Sequence, residues 1–444
     1  MLATVLVVVA VLGGVSAASA VLVGLAVGTG HHVKAGSTGP GGRFSPDVRF
    51  TRRPPTGYTV TFRYRDPSAT SVQLEGEWYF SAPGHTSPTS SQGRLPSQRK
   101  PGDIPIGWPN TSLTTAGWPV VNMNEDHATG VWSYTIPLPS GEFNYGFLLN
   151  CPSAAGHDSL TTRCPEGSDP SNPPWNERDG VTIGTIEPTS QVYVPSDPAF
   201  HTVNYSWQAP TAPRGALSDV TYPQDPGSPA PPGYNNLAIY TPPRYNPHRG
   251  TPYPVVYLSV GDNEVDWSTR DDAANILDNL IDKRAIKAVV AVMTDFDFTD
   301  CQEDGQVAFG ENMASSVIPY VQSHYDVSRE ASQRAFVGAS CGGGVAAGLL
   351  AGGVRAYGYV GVISPIPATA VGAAQADALG RVRVMVGGGL QDPLRSQELQ
   401  EVADLQHARV RFSTEVINGG HDWYVWRILL HDFLTRVAFK PVGG

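Results

Sequence analysis

Charge is scarce in this sequence. Asp, Glu, Lys and Arg make up 16% of its 444 residues, the formal net charge is −10, and no Lys/Arg-rich run occurs anywhere. A nucleic-acid partner would require a basic face, so the composition argues against one. Cysteine is sparse as well, with only Cys151, Cys164, Cys301 and Cys341. The first two bracket a short polar loop, "NCPSAAGHDSLTTRC", without a further Cys or His at zinc spacing. That loop reads as stapled by a disulfide in an oxidising compartment, with two free thiols as the alternative. Internal repeats are absent, and nothing implies a metal or an organic cofactor.

Residues 1–30 lack charged side chains altogether; the first is Lys34. Two readings compete. One is a secretory signal ending in the small residues Ala18-Ser19-Ala20. The other is an uncleaved span or anchor over residues 2–28, since the apolar run is long enough to cross a bilayer. No Lys or Arg precedes the run, as a signal would have. The basic residues that follow it (Lys34, Arg43, Arg49) argue against export by the positive-inside tendency. The reading favoured is export, with the body secreted or anchored facing outside.

Glycine (48) and proline (39) are plentiful, and the length exceeds that of one typical domain. Residues 31–50 read as a linker. Over 51–190, "YTVTFRYRD", "SVQLEGEWYF", "GVWSYTIPL" and "GEFNYGFLLN" alternate with period two between turn residues, which predicts a small all-β sandwich interrupted by a polar insertion at 81–119. "DPSNPPWNE" is expected to close it. Over 191–444 the texture changes. "GALSDVTYP" and "NNLAIYTPP" look like edge strands, and "YPVVYLSVG" and "KAVVAVMTD" like buried ones. "RAFVGAS", "VRVMVGG" and "VRFSTEVING" continue the series, with helical segments between them. Strict β/α alternation predicts an α/β fold, a parallel sheet covered on both faces.

Gly338-Ala339-Ser340-Cys341-Gly342 is G-x-S-x-G between a predicted strand and a predicted helix, the one context in which that pattern points to a nucleophile. Ser340 is therefore the expected nucleophile, with the N–H of Cys341 serving an oxyanion. A serine needs a base. His421, in the loop "VINGGHDWYVWR" after the last strand, is the candidate; His431 falls inside the following helix. Asp392, just past the strand "VRVMVGG", completes a Ser340…Asp392…His421 order, that of the α/β-hydrolases. Asp422 adjoins the histidine too closely to reach around it, and Glu398 falls inside a helix. A second oxyanion donor is expected from the N–H of Gly261 or Asp262.

With these residues in place, 236–437 resembles the esterase D-type α/β-hydrolases, which include feruloyl esterases, enterochelin esterases and, more distantly, mycolyltransferases. The matching pieces are "IYTPPRYNP", "YPVVYLSVGDNEVDW", "ILDNLIDKRAIKAVVAVMTD", "VIPYVQSHYDV", "RAFVGASCGGG" and "GGHDWYVWRILLHDFL". The preceding sandwich is similar to the immunoglobulin-like domain in front of many such esterases. The resemblance implies a serine carboxylic-ester hydrolase working through an acyl-enzyme. Feruloyl- or acetyl-polysaccharide esters and siderophore esters are among its substrates, and acyl transfer or a non-catalytic binding role are the alternatives.

Two departures stand out. Val260 precedes Gly261 where the family commonly has His. Cys341 follows the nucleophile where Met or Leu is frequent, which suggests a disulfide to Cys301 in a neighbouring loop, or two free thiols. Trp267 and Trp423 are expected to line the substrate pocket.

Weaker signals have plainer readings. Asp295, Asp297, Asp300, Glu303 and Asp304 do not match a calcium loop and read as a solvated rim. Trp78, Trp108, Trp118 and Trp132 suit a core better than a sugar-stacking face. Asn110-Thr111-Ser112 and Asn204-Tyr205-Ser206 match the glycosylation pattern. Substrate identity and oligomeric state stay open at this level.

Overall fold

Four five- or six-residue runs, "VVYLS", "VAVMT", "RAFVGA" and "YVGVI", are buried along their whole length. Such runs can satisfy their backbone only in the interior of a sheet covered on both faces. The computed structural model describes residues 44–83, 93–106, 120–151, 166–174, 177–178, 181–182, 190–224, 226–227, 235–261, 267, 272–294, 301, 303–352, 355–372 and 375–439. It places these runs at the centre of an eight-stranded sheet.

In chain order the strands are β1 (Ala216–Thr221), β2 (Asn236–Thr241), β3 (Val255–Ser259), β4 (Val290–Thr294), β5 (Arg334–Ala339), β6 (Tyr359–Ile363), β7 (Arg383–Gly389) and β8 (Phe412–Ile417), and their spatial order is β1-β2-β4-β3-β5-β6-β7-β8. From β4 to β8 all pairings are parallel, while β1 and β2 are antiparallel to their neighbours. The expectation of two edge strands therefore needs correction. Only β1 is an edge, and β2 lies inside the sheet with Leu237–Tyr240 buried, because the β1–β2 hairpin extends the sheet by one strand beyond it.

The helices are α1 (Ala273–Asp282), α2 (Glu303–Asn312), α3 (Ile318–His324), α4 (Cys341–Ala351), α5 (Ala376–Leu379), α6 (Arg395–His407) and α7 (Trp423–Asp432). One apolar layer joins Phe309, Met313, Ala346, Leu350 and Leu405 to one face of the sheet. A second joins Ile276, Leu277, Val425, Leu429 and Phe433 to the other. Between α2 and α3 the helical path passes through a π-turn at Met313–Val317, two residues before Pro319, which has no N–H for the helical ladder.

Ahead of this sheet lie two antiparallel ones. The first runs Asp47–Phe50, Tyr58–Arg65, Val131–Ile136, Asn124–Asp126; the second runs Glu166–Gly167, Gly141–Leu149, Val72–Gly76, Val120–Asn122. Val60 and Phe62 from the first pack with Leu74, Phe143, Tyr145 and Phe147 from the second, as period-two alternation dictates. Trp78 and Trp132 belong to that core, which answers the question of a stacking face for those two; Trp108 and Trp118 lie outside the described residues. The all-β layer does not end at "DPSNPPWNE". Ser190–Val194, an alternating "SQVYV", adds a strand against Gly141–Tyr145. Among the described residues no helix is long and apolar enough to cross a membrane, and residues 1–43, with the candidate signal or anchor, lie outside them.

Candidate active site

Ser340 sits between the end of β5 and the first turn of α4 with φ 56° and ψ −119°, a backbone conformation a serine adopts only when its surroundings impose it. Here they do. Its N–H donates to the carbonyl of Ile363 (3.1 Å), and its own carbonyl accepts from Gly344 (3.1 Å) and Ile366 (3.3 Å). The two motif glycines are required by close approach. A Cβ on Gly338 would lie 1.8 Å from the carbonyl oxygen of Gly342, and one on Gly342 would lie 2.3 Å from that of Ser259. The turn thus lifts the Ser340 hydroxyl off the carboxyl edge of the sheet.

The Asp392 and His421 loops are fastened to each other. Leu390 N–H donates to Ile417 (2.7 Å), Gln391 N–H to Gly419 (2.9 Å), and Gly419 N–H back to the Gln391 side chain (2.7 Å). A Cβ on Gly389 would meet the carbonyls of Gly419 and Gly420, so the two loops touch backbone to backbone. The pair of glycines before His421 serves this contact. Asp422 is engaged elsewhere, its carboxylate accepting from Val425 at the start of α7 (2.9 Å) and from Gly420 (3.0 Å).

The result is a continuous chain of hydrogen bonds. His421 Nε2 stands 2.9 Å from Ser340 Oγ, and Nδ1 stands 3.0 and 3.2 Å from the two Asp392 oxygens. A carboxylate only accepts, so Nδ1 carries the proton and the Nε2 lone pair faces the serine hydroxyl. Burial pushes the Asp392 carboxyl up. Its hydrogen bond and charge interaction with His421, the Ser364 hydroxyl and the Leu394 N–H outweigh that and hold it below the usual carboxylate range.

Three supporting residues escape sequence reasoning. Ser364, one strand before Asp392 in sequence, is held by Trp426 Nε1 (3.2 Å); Gln391 clamps the histidine loop; Trp426 packs its ring at a right angle to His421, 4.9 Å between centroids. Only the serine directly after a buried strand, in "VISPIP", offered a signal.

Cys341 opens α4, so its N–H has no carbonyl four residues back within the helix. Gly342 donates to Val260 (2.7 Å), which brings the end of β3 against this turn; a Cβ on Gly261 would lie 3.8 Å from Cys341 Sγ. Asp262 lies outside the described residues. Cys301 and Cys341 form a disulfide, Cα to Cα 5.3 Å. Cys151 is disulfide-bonded as well; Cys164, its expected partner, is outside the described residues. Of the two tryptophans expected at the pocket, Trp423 is half-buried with its ring edge-on to Trp426, while Trp267 is 1% exposed and packed in the core beside Val260.

Remaining candidates take other roles. His431 pairs with Asp432 and stacks on Trp207. Glu398, fully buried, pairs with Arg395. Asp295, Asp297 and Asp300 are outside the described residues, and among the described residues no group of three His, Cys, Asp or Glu is placed to hold a metal ion.

Residues 228–437 match the family described as "Putative esterase". Among solved structures, the enterobactin esterase of Shigella flexneri in the presence of 2,3-dihydroxy-N-benzoyl-glycine shares the fold at 17% identity and a TM-score of 0.53, over 87% of this chain and 95% of its own. The same esterase in the presence of 2,3-dihydroxy-N-benzoyl-serine gives 18% identity and 0.50, again over 87% and 95%. The feruloyl esterase module of Clostridium thermocellum gives 19% and 0.45, over 55% and 95%. The likeness to the enterobactin esterase spans the all-β layers as well as the large sheet. By the match over residues 228–437 the chain is a carboxylic ester hydrolase.

Proposed function

We propose that hydrolysis proceeds through an acyl-enzyme on Ser340, with His421 as base and Asp392 as its orienting partner. The observation that carries this is the hydrogen-bond chain from Ser340 Oγ through both nitrogens of His421 to Asp392. His421 Nε2 takes the hydroxyl proton as Oγ attacks the ester carbonyl, then delivers it to the departing alkoxide. Asp392 keeps the proton on Nδ1 and balances the transient imidazolium without itself being protonated. The N–H groups of Cys341 and of the Gly261 turn receive the negative charge that develops on the carbonyl oxygen. A water then repeats the sequence on the acyl-enzyme.

The substrate class proposed is a feruloyl or acetyl ester on a polysaccharide, or a siderophore-type ester. The disulfide-bonded cysteines support an exported protein, since such bonds persist in oxidising compartments.

The test uses p-nitrophenyl acetate on the chain lacking residues 1–30, with Ser340→Ala beside it. A stoichiometric burst followed by turnover is expected. The Ser340→Ala protein should lose both, a fall in kcat on the order of 10³-fold or more. A burst without turnover would make the chain an acyltransferase awaiting its acceptor. Undiminished turnover by Ser340→Ala would remove the serine from the mechanism.

A further inference from the structure

The mechanism leaves unused a groove of about 330 Å³ between α4, the segment after β6, and α6. One wall is apolar, formed by Ala347, Pro365 and Ile366; the other is polar, formed by Gln397, Glu401 and Asp404. Among the described residues its lining holds no Lys, Arg or His. One lining residue is tied to the nucleophile turn, since the Ile366 N–H donates to the carbonyl of Ser340. Its apolar wall is braced by Gln306, whose amide donates to Pro367 (2.9 Å).

Glu401 is the unexplained group. It is 5% exposed, lines the groove, and its Oε1 is buried without a hydrogen-bond partner. Leaving a buried acceptor unpaired is costly, and no protein group among the described residues relieves it. Asp404, by contrast, accepts from Gln400 at 2.9 Å.

We propose that this groove is a subsite for a neutral, hydroxylated ring, a sugar residue of the ester's carrier, with a ring hydroxyl donating to Glu401. The opposed walls fit such a ring, whose C–H face packs on proline and isoleucine while its hydroxyls meet acceptors. An anion is excluded by the two carboxylates, and an acyl chain by the polar wall. Burial, with Asp404 nearby, pushes the Glu401 carboxyl up to about 7, so near neutrality part of it is protonated and can both donate and accept. A hydroxyl uses both roles; a cation can use only the ionised fraction, which the cation control below tests. The assignment of this groove as part of the substrate site rests on the Ser340 reading, but its sugar binding does not.

The experiment is saturation-transfer NMR on the chain lacking residues 1–30, with xylotriose, cellotriose, maltotriose and trehalose as probes and tetramethylammonium as the cation control. Glu401→Gln and Glu401→Leu serve as variants, each checked for unchanged p-nitrophenyl acetate turnover. At least one sugar should give a signal that weakens about tenfold in apparent affinity in Glu401→Leu and less in Glu401→Gln. Tetramethylammonium should give none. No sugar signal, a signal indifferent to both variants, or a signal from the cation alone would each overturn the proposal. Sugar binding in a protein whose Ser340→Ala form still hydrolyses the small ester would instead leave the subsite standing and sink the catalytic reading.

Discussion

Asp392 and Asp272 are both 5% exposed, yet the structure drives them in opposite directions. Asp392 lies in a corner that supplies donors to match its charge: the His421 imidazole, the Ser364 hydroxyl and the Leu394 N–H. Asp272 lies at the seam between the all-β layer and α7, where carboxyls outnumber cations. Arg427 donates to the Glu142 carbonyl (3.0 Å) and stands 3.7 Å from a Glu77 oxygen, and its charge also acts on Asp272 and on the Glu142 carboxyl. One guanidinium thus faces three buried carboxyls. Burial raises all three, Asp272 to about 7 and Glu142 well above the usual range; Arg427 opposes it incompletely, joined at Asp272 by the Asn275 amide and Arg214 and at Glu77 by Asn144. Burial alone therefore does not decide a carboxyl's charge; the ratio of donors to carboxyls does.

The largest break in this comparison comes at the catalytic corner. Asn in place of Asp392 keeps the shape but presents an amide that can donate to Nδ1, favouring the tautomer that aims an N–H at Ser340. We expect kcat on p-nitrophenyl acetate to fall on the order of 10³–10⁴-fold, with the fold intact by circular dichroism. A fall of less than tenfold would show that His421 is held in its working tautomer by something other than Asp392.

At the seam the equivalent blow is to stability. Arg427→Met removes the guanidinium that acts on Glu77, Glu142 and Asp272 together and leaves those carboxyls buried without it. The expected loss is about 3–5 kcal/mol in urea unfolding. Adding Glu77→Gln should recover part of that, because it removes one buried carboxyl while its amide oxygen still accepts from one of the two Asn144 donors that bind Glu77 now. Equal stability of Arg427→Met and the parent would mean that the seam carboxyls are already neutral when folded.

Next in size is the staple at the nucleophile. The Cys301–Cys341 disulfide closes a 40-residue separation, and by loop closure its removal in the double alanine variant is expected to cost about 2–4 kcal/mol. The Ser340 turn is held independently by the backbone bonds to Ile363, Gly344 and Ile366. Turnover below the new melting temperature should therefore stay within about threefold, since the loss is one of tethering and not of the catalytic geometry. A loss of turnover as large as that of Asp392→Asn would place the disulfide in the site's geometry after all.

How legible these two regions were in the sequence differs for a physical reason. The catalytic corner is built from strand ends and tight turns, whose requirements are local: glycine where backbones touch at Gly338, Gly342 and Gly389, and a polar residue at each strand exit. Ser340 could be chosen from such a signature, and His421 and Asp392 by applying the α/β-hydrolase order to the strand exits. The same holds for the central strands, where unbroken apolar runs announce two-sided burial. The seam is made by residues 285 positions apart, Glu142 and Arg427, whose meeting depends on how two layers pack. In the sequence Glu142 is one more polar residue in a strand and Arg427 one more charge in a helix. The same non-locality hid Ser364, and it hid Ser190–Val194, a strand separated from its partner by some forty residues. It also hid the interior place of β2, which only the sheet order reveals.

The mildest test separates the two kinds of carboxyl by their proton linkage. Asp272 moves from 3.8 in an open chain to about 7 when folded, so over that window the folded protein binds the proton more tightly than the unfolded one. Stability contributed this way is present at low pH and is lost as the pH rises through 7. Asp392, lowered on folding, works oppositely: its contribution is present above 3.8 and is lost as the pH falls through its folded value. From pH 5 to pH 8 the seam should dominate, and the melting temperature should fall by a few degrees. Asp272→Asn should flatten that slope and exceed the parent in stability at pH 8. Asn275, whose amide now donates to both Asp272 oxygens, can turn to meet the new side chain. Glu401, also raised to about 7, contributes in the same direction, so Glu401→Gln serves as the second arm. A slope unchanged in both variants would mean that these carboxyls ionise in place, and that water or a rearranged Arg427 reaches the seam as donors reach Asp392.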